Sequence, residues 1–372
     1  MRYYIIAGEA SGDLHASNLM KELRKKDPAA AFRCWGGDLM KAQGGELVRH
    51  YRDLAFMGFF EVLAHLRTIT RNIRFCKQDI LVYHPDVLIL VDYPGFNLRI
   101  SRFAHKQGIR VFYYISPQLW AWRSSRVHAI KKNVDRMFVI LPFEKEFYAR
   151  YDYEVDFIGH PLLDVITGET IHQDREAFLE KNHLSDKPIV ALLPGSRRQE
   201  IRLMLEAMLK MVPLFSEYQF VIAGAPSIPT EYYSSIPAGT SVSVITGQTY
   251  DLLSCSVAAL VTSGTATLET ALMGIPQVVC YKGNFFSYLL ARLVIRVKFI
   301  SLVNLIMDKE IIRELVQKDL NTNNLSRELK RILDTDERKE ITMAYTGLRE
   351  KLGGEGASAK AANLMIQYLN EK

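Results

Sequence analysis

Several features are missing from this sequence, and each absence removes a class of protein. No run of about 18 uncharged apolar residues occurs, so a membrane-spanning helix is not expected. Cys34, Cys76, Cys255 and Cys280 lie far apart with no C-x-x-C pair, which argues against a zinc site or a disulfide framework and for buried free thiols. Met1-Arg2-Tyr3-Tyr4 runs straight into an apolar stretch without a basic and then apolar leader, so no signal peptide is expected and the cytosol is the expected compartment. Neither G-x-G-x-x-G nor a Walker loop with its lysine is present. No recognised nucleic-acid-binding motif occurs, and a formal charge of +6 spread over 372 residues decides nothing about partners by itself.

What is present is a soluble globular composition in a chain long enough for two domains. Apolar runs alternate with amphipathic stretches in the manner of βαβ units, predicting an α/β protein with two parallel, Rossmann-like sheets. Strands are expected at 3–7, 87–91, 111–115, 136–140 and 155–158, then at 189–193, 219–222, 242–245, 258–262 and 277–281. Helices are expected at 14–25, 61–83 and 201–211. Gly and Pro in "DFIGHPLLDV", residues 156–165, mark the seam. An N-terminal domain over 1–165, a second over 166–350 and a C-terminal helix within 351–372 follow, with ligands expected in a cleft beyond the carboxyl ends of the strands.

Two turns carry chemistry. In "IIAGEASGDLHA", residues 5–16, a strand breaks into a loop of Gly8, Glu9, Ser11 and Gly12, with Ser11 or Asp13 as candidate helix caps aiming free N–H groups at an anion. In "VTSGTATLETAL", Ser263 and Gly264 end a strand, Thr265 and Ala266 open a helix, and Glu269 lies one turn on. That helix start suits a phosphate and the carboxylate suits ribose hydroxyls, unless Ser263 and Thr265 merely cap the helix. "LLPGSRRQE" puts Ser196 and Arg197 at a similar strand-to-helix turn, where Arg197 can bind diphosphate oxygens or simply pair with Glu200.

Two segments mix apolar bulk with cations. Residues 284–307 are rich in Phe, Leu, Ile and Val but broken by Arg292, Arg296 and Lys298, which suits either an anionic membrane surface or an interior segment with outward-reaching cations. Trp120, Trp122 and Arg123 in "LWAWRSSR" suit a headgroup boundary or plain packing beneath a helix.

The set "GEASGD", "SPQLWAWR", "LPFEKEFY", "FIGHPLLD", "LLPGSR", "TSGTATLE", "ISLVNLI" and "GGEGASAKAA" resembles, in order and over nearly the whole chain, the lipid-A-disaccharide synthase family. The resemblance implies a two-domain GT-B fold. It implies inverting transfer of 2,3-diacylglucosamine from UDP-2,3-diacylglucosamine to 2,3-diacylglucosamine 1-phosphate at the cytoplasmic face of the inner membrane, giving a β-1,6 disaccharide and UDP without metal or cofactor. Anionic inner-membrane lipid would be a partner, nucleic acid would not, and the C-terminal helix would pack on an N-terminal domain of its own chain or of a homodimer partner.

By the same resemblance, Arg197 lies near the diphosphate, Ser263 to Ala266 at the phosphate, Glu269 on the ribose and Asn304 near the donor, while the opening turn faces the acceptor. Inversion requires one base for the 6-hydroxyl. Asp92 in "LVDYPGFN" is favoured over Asp86, which precedes its strand, and Asp13 and His15 are rivals. Many relatives carry another Asp directly after the Pro of this turn; here that position is Gly95. A UDP-sugar epimerase and a membrane-binding protein without chemistry are the other readings.

Overall fold

A computed structural model describes the chain except residues 54–65, 122–123, 168–173, 227, 235–241, 284–297 and 372. It divides into two compact units, Met1–Asp164 with Leu352–Lys372, and Val165–Lys351.

The first unit is built on strands β1 Arg2–Ala7, β2 Ala31–Gly36, β3 Glu46–His50, β4 Val87–Val91, β5 Arg110–Tyr114, β6 Arg136–Val139 and β7 Asp156–Phe157. They pair in parallel in the order β3-β2-β1-β4-β5-β6-β7. β1 and β4 sit centrally and are covered on both faces, which explains their near-continuous apolar sequence. One face packs on helices α1 Ala10–Lys26 and, from the C-terminus, α10 Ala357–Asn370. The other packs on α3 Leu66–Tyr83, α4 Pro94–Lys106 and α5 Val127–Asn133, through Cys76, Ile80, Phe96, Ile100 and Ile130. Arg110 Nη1 donates to the carbonyls of Tyr368 and Leu369, fastening the end of α10 to β5. The start of α10 is capped by Asp164, whose carboxylate accepts from the N–H groups of Gly356, Ala357 and Ser358.

The second unit holds β8 Ile189–Leu193, β9 Gln219–Gly224, β10 Ser243–Thr246, β11 Ser256–Thr262, β12 Gln277–Tyr281 and β13 Glu314–Val316, parallel in the order β10-β9-β8-β11-β12-β13. Both sheets therefore reverse their winding direction once, between β1 and β4 in the first and between β8 and β11 in the second. Ligands of open parallel sheets collect at the carboxyl ends beside such reversals.

β2, β3 and β13 are absent from the sequence reading. Their apolar pattern is interrupted by Arg33, Glu46, Arg49 and Glu314, and in β2 the interruption is neutralised from a distance: the Arg33 guanidinium reaches Asp79 on α3 through Nε (2.9 Å) and Nη2 (2.7 Å). All four cysteines are free and buried.

Candidate active site

At the first reversal, the end of β1 and the end of β4 meet. Gly8 is pressed against Tyr93 so closely that a Cβ there would lie 2.4 Å from the Tyr93 ring, so only glycine lets the two turns approach. Asp92 and Tyr93 are both left-handed (φ 42° and 46°), and Ile115 at the end of β5 is left-handed too (φ 67°). Two neighbouring strand ends, those of β4 and β5, thus carry three residues in backbone conformations that non-glycine residues avoid, a concentration of strain expected where geometry serves function.

The Asp92 turn is held by its neighbours. Asn97 Nδ2 donates to the carbonyls of Val91 (3.2 Å) and Asp92 (2.8 Å), and the Tyr113 hydroxyl donates to the Asp92 carbonyl at 2.5 Å. With its backbone oxygen secured, the carboxyl group is left in a poorly solvated place. Burial, and then the negative charge of Glu9, push its pKa up to about 7. A carboxyl group poised there is half ionised near neutral pH, as a general base requires.

The structure corrects the opening turn in several respects. Helix α1 starts at Ala10, so Ser11, Gly12 and Asp13 lie inside its first turn, and neither Ser11 nor Asp13 caps it; Glu9 occupies the cap position, and its side chain does not accept from the helix's first N–H groups. Asp13 is buried and instead serves helix α2, Asp38–Ala42, accepting from the N–H groups of Gly37 (2.8 Å), Leu39 (3.1 Å) and Met40 (3.1 Å). That full engagement disfavours Asp13 as the base. His15 is buried, not a surface residue, and burial pushes its pKa down to about 4, so the imidazole is neutral and weakly basic. Asp86 accepts from the Arg2 N–H at the amino end of β1, the opposite edge of the sheet from the strained turns.

At the second reversal, the ends of β8 and β11 lie side by side. Gly195 takes a left-handed φ of 106° and leads into exposed Ser196 and Arg197, after which α7 runs over Arg198–Met208. Arg197 Nη1 contacts Glu200 at 3.3 Å while its side chain stays 60% exposed, so the pairing with Glu200 is present on an exposed side chain. Ser263 donates its hydroxyl to the Ile300 carbonyl (3.1 Å), and α8 Thr265–Leu272 begins after Gly264. Ser263 and Thr265 make no side-chain cap, and among the described residues no side chain caps the first N–H groups of α8; the Thr267 hydroxyl donates to the Gly264 carbonyl. Thr265 is exposed and Ala266 half-buried. Glu269, one turn along α8, is half-buried, and burial pushes its pKa up to about 7.

Asn304 is engaged from within. It is fully buried in the helix α9 Leu302–Met307, and its amide is used entirely inside the protein: Nδ2 donates to the Ile312 carbonyl and to Glu314, and Oδ1 accepts from the N–H groups of Ile311 and Ile312. A direct contact to a donor would cost one of these bonds. Through Glu314, which accepts from the N–H groups of Ile300 and Ser301, Asn304 instead stiffens the segment whose carbonyl receives Ser263.

Trp120 is half-buried and packs edge-on against Phe143, with ring centroids 4.9 Å apart. Lys298 is 68% exposed, with Asp308 at 3.9 Å. Trp122, Arg123, Arg292 and Arg296 lie outside the described residues. No helix among the described residues is long and apolar enough to cross a membrane. Among them, too, no three His, Cys, Asp or Glu side chains converge in the manner of a metal site.

Sequence reasoning missed Tyr113 and Asn97 as supports of the Asp92 turn. The only signal available was that Asn97 stands five residues after Asp92 at the start of a helix.

Comparison with known proteins adds to this. A family model described as lipid-A-disaccharide synthetase matches residues 3–367. Lipid-A-disaccharide synthase of Syntrophus aciditrophicus is 41% identical, with 99% of this chain and 97% of that protein covered. The synthase of Geobacter sulfurreducens is 38% identical over 100% of this chain and 98% of its own. Among solved structures, the S. aureus MnaA-UDP co-structure superposes with a TM-score of 0.69 at 13% identity, covering 99% of this chain and 97% of that one. UDP-GlcNAc 2-epimerase from Neisseria meningitidis bound to UDP-GlcNAc does so at 0.66 and 12%, covering 100% of both chains. At such identities these two structures bear on the fold alone.

Proposed function

The chain belongs to the lipid-A-disaccharide synthetase family and is a glycosyltransferase of two Rossmann-like units, and from that premise we propose how its residues divide the work. The donor is UDP-2,3-diacylglucosamine and the acceptor 2,3-diacylglucosamine 1-phosphate. The 6-hydroxyl of the acceptor attacks the anomeric carbon with inversion, forming the β-1,6 bond as the bond to UDP breaks.

Asp92 takes the hydroxyl proton. Its raised pKa matches that task, and the Tyr113 and Asn97 bonds fix the turn so that the carboxylate is presented without reorganisation. Gly8 and Glu9 border the acceptor side, and Glu9 adds to the basicity of Asp92 through its charge.

In the second unit, the first N–H groups of α8 and the Arg197 guanidinium receive the diphosphate and offset the negative charge that develops on UDP as it leaves. Glu269 accepts from the ribose hydroxyls. Ser263 and Ser196 line the same two strand ends.

The observation that carries this reading is the coincidence of these residues with the one reversal of winding in each sheet. An epimerase shares the architecture, but the Neisseria meningitidis epimerase is only 12% identical, whereas the full-length relatives at 38 to 41% are synthases. Because both substrates carry acyl chains, the protein works at the cytoplasmic face of an anionic membrane as a peripheral enzyme. The anomeric configuration of the product tests the mechanism: proton NMR of the new glycosidic bond should give the β form, and an α product would exclude single displacement by a base-activated hydroxyl.

A further inference from the structure

Resting on the reading of Asp92 as the base, we propose that Glu144 is a positioning residue for the transfer, fixing the carboxyl ends of β5 and β6 so that Tyr113 holds the Asp92 turn.

The segments "SPQLW", residues 116–120, and "LPFEKEFY", residues 141–148, follow β5 and β6 and meet at one carboxyl group. Glu144 opens the short helix α6, Glu144–Ala149, and is only 1% exposed. One of its oxygens accepts from the N–H groups of Ile140 (3.1 Å) and Leu141 (2.9 Å), where β6 ends. The Ser116 hydroxyl and the Trp120 indole N–H face the same carboxyl group from the segment after β5. That indole N–H is buried and makes no hydrogen bond of its own among the described residues. Ser116 Oγ also shares a hydrogen bond of 2.7 Å with the Tyr148 hydroxyl on α6.

Among the described residues no Lys, Arg or His pairs with Glu144, and burial pushes its pKa up to about 7. A carboxyl group buried without a cation is costly, and an apolar side chain would fill the space without that cost. What the carboxyl group adds is direction, because one acceptor reaches both loops at once.

The loop after β5 requires such support. Ile115, β-branched and left-handed, stands between Tyr114 and Ser116, and a residue in that conformation persists only where its neighbours over-determine it. On one side Ser116 is held by Tyr148 and faces Glu144. On the other the rungs of the sheet continue: the Asp92 N–H donates to the Tyr114 carbonyl (3.3 Å) and the Ile115 N–H to the Phe138 carbonyl (3.1 Å). Two residues beyond Phe138 begin the N–H groups that Glu144 accepts. The edge of the sheet is thus tied from Asp92 across β5 to Glu144. Tyr148 faces Tyr113 within the same buried cluster, so the residue that Ser116 holds stands beside the one that holds Asp92.

Glu144→Gln tests this, because it keeps the shape and an acceptor for Ile140 and Leu141 but turns an amide donor toward the indole donor of Trp120. Its kcat should fall about fivefold, with UDP affinity and the KM of both sugars retained. In a Tyr113→Phe background the same substitution should cost less than about twofold, since the hold through which it acts is already gone. The Asp92 carboxyl resonance in carbon-13 NMR, assigned with Asp92→Asn, should titrate about 0.5 pH unit or more lower in Glu144→Gln, because a loosened turn admits water. That titration needs no turnover: a wild type that forms no disaccharide fails the enzymatic reading, while the NMR comparison still decides whether Glu144 positions Asp92. A folded Glu144→Gln with wild-type kcat and an unmoved Asp92 titration overturns the proposal, as does an equal loss of kcat with and without the Tyr113 hydroxyl. Should Glu144→Gln unfold the protein, Ser116→Ala removes the bond to Tyr148 alone, with the same coupled loss expected and an unchanged kcat again contradictory.

Discussion

The Tyr113 hydroxyl donates a 2.5 Å hydrogen bond to the backbone carbonyl of Asp92, joining the last turns of β5 and β4 at the strained edge of the first sheet. A buried tyrosine thereby holds a left-handed aspartate in place.

Removing that hydroxyl tests the support directly. Tyr113→Phe keeps the ring and loses the bond, so kcat should fall about tenfold by misplacing the carboxylate while UDP affinity stays unchanged. Steady-state kinetics beside calorimetry of UDP separate the two; an unchanged kcat means the Asn97 bonds suffice.

Asp92→Asn should lower turnover about 100-fold or more without altering UDP affinity. It should also stabilise the protein above neutral pH. The folded pKa, about 7, lies above the ordinary carboxylate value, so between about pH 4 and 7 the folded state binds a proton that the unfolded state has released. Stability therefore falls with rising pH across that window, and asparagine, which tolerates left-handed φ, removes the loss. Thermal midpoints at pH 5 and 8 check this: the variant should gain on wild type at pH 8 and not at pH 5. A variant no better at pH 8 would mean the carboxyl group is not burdened by burial.

Asp13→Asn separates a cap from a base. Losing charge at the start of α2 should cost about 0.5 to 2 kcal/mol of stability, read by denaturant unfolding, with kcat of the folded enzyme reduced far less than by Asp92→Asn. A collapse of kcat with unchanged stability would move the base to Asp13.

These cases show which parts of the molecule a linear reading can reach. β1, β4, β8 and β11 are recognisable because strands covered on both faces are apolar throughout, and the strand-to-helix turns at Gly8 and Gly264 follow from glycine at the strand ends. β2 is hidden because Arg33 finds its carboxylate 46 residues away, and the duty of Asp13 is hidden because its acceptor bonds come from residues 24 to 27 positions on. Asn304 shows a related limit: polar residue types announce a hydrogen bond without naming its partner, here the Ile311–Ile312 backbone.

Glu269→Gln should weaken UDP binding by about 1 to 3 kcal/mol through loss of a charged hydrogen bond. With its pKa near 7, the carboxyl group gains its proton as pH falls, so wild-type UDP affinity should decline from pH 8 to pH 6. Calorimetry of Glu269→Gln should give the weaker affinity at both pH values and lose that slope; equal affinities for the two proteins would remove Glu269 from the ribose site.

The leaving diphosphate is met by Arg197 and N–H groups, so turnover should survive EDTA and fall in Arg197→Ala. Activity abolished by chelation and restored by magnesium would contradict that division of charge.

The most direct measurement supplies the purified protein with UDP-2,3-diacylglucosamine, alone and together with 2,3-diacylglucosamine 1-phosphate, and follows every product by mass spectrometry and nucleotide chromatography. A glycosyltransferase of this kind leaves the donor intact when it is alone and, when both sugars are present, releases UDP in equal amount with the acylated disaccharide 1-phosphate. Epimerisation of the donor in the absence of acceptor, or UDP release without disaccharide, would contradict it.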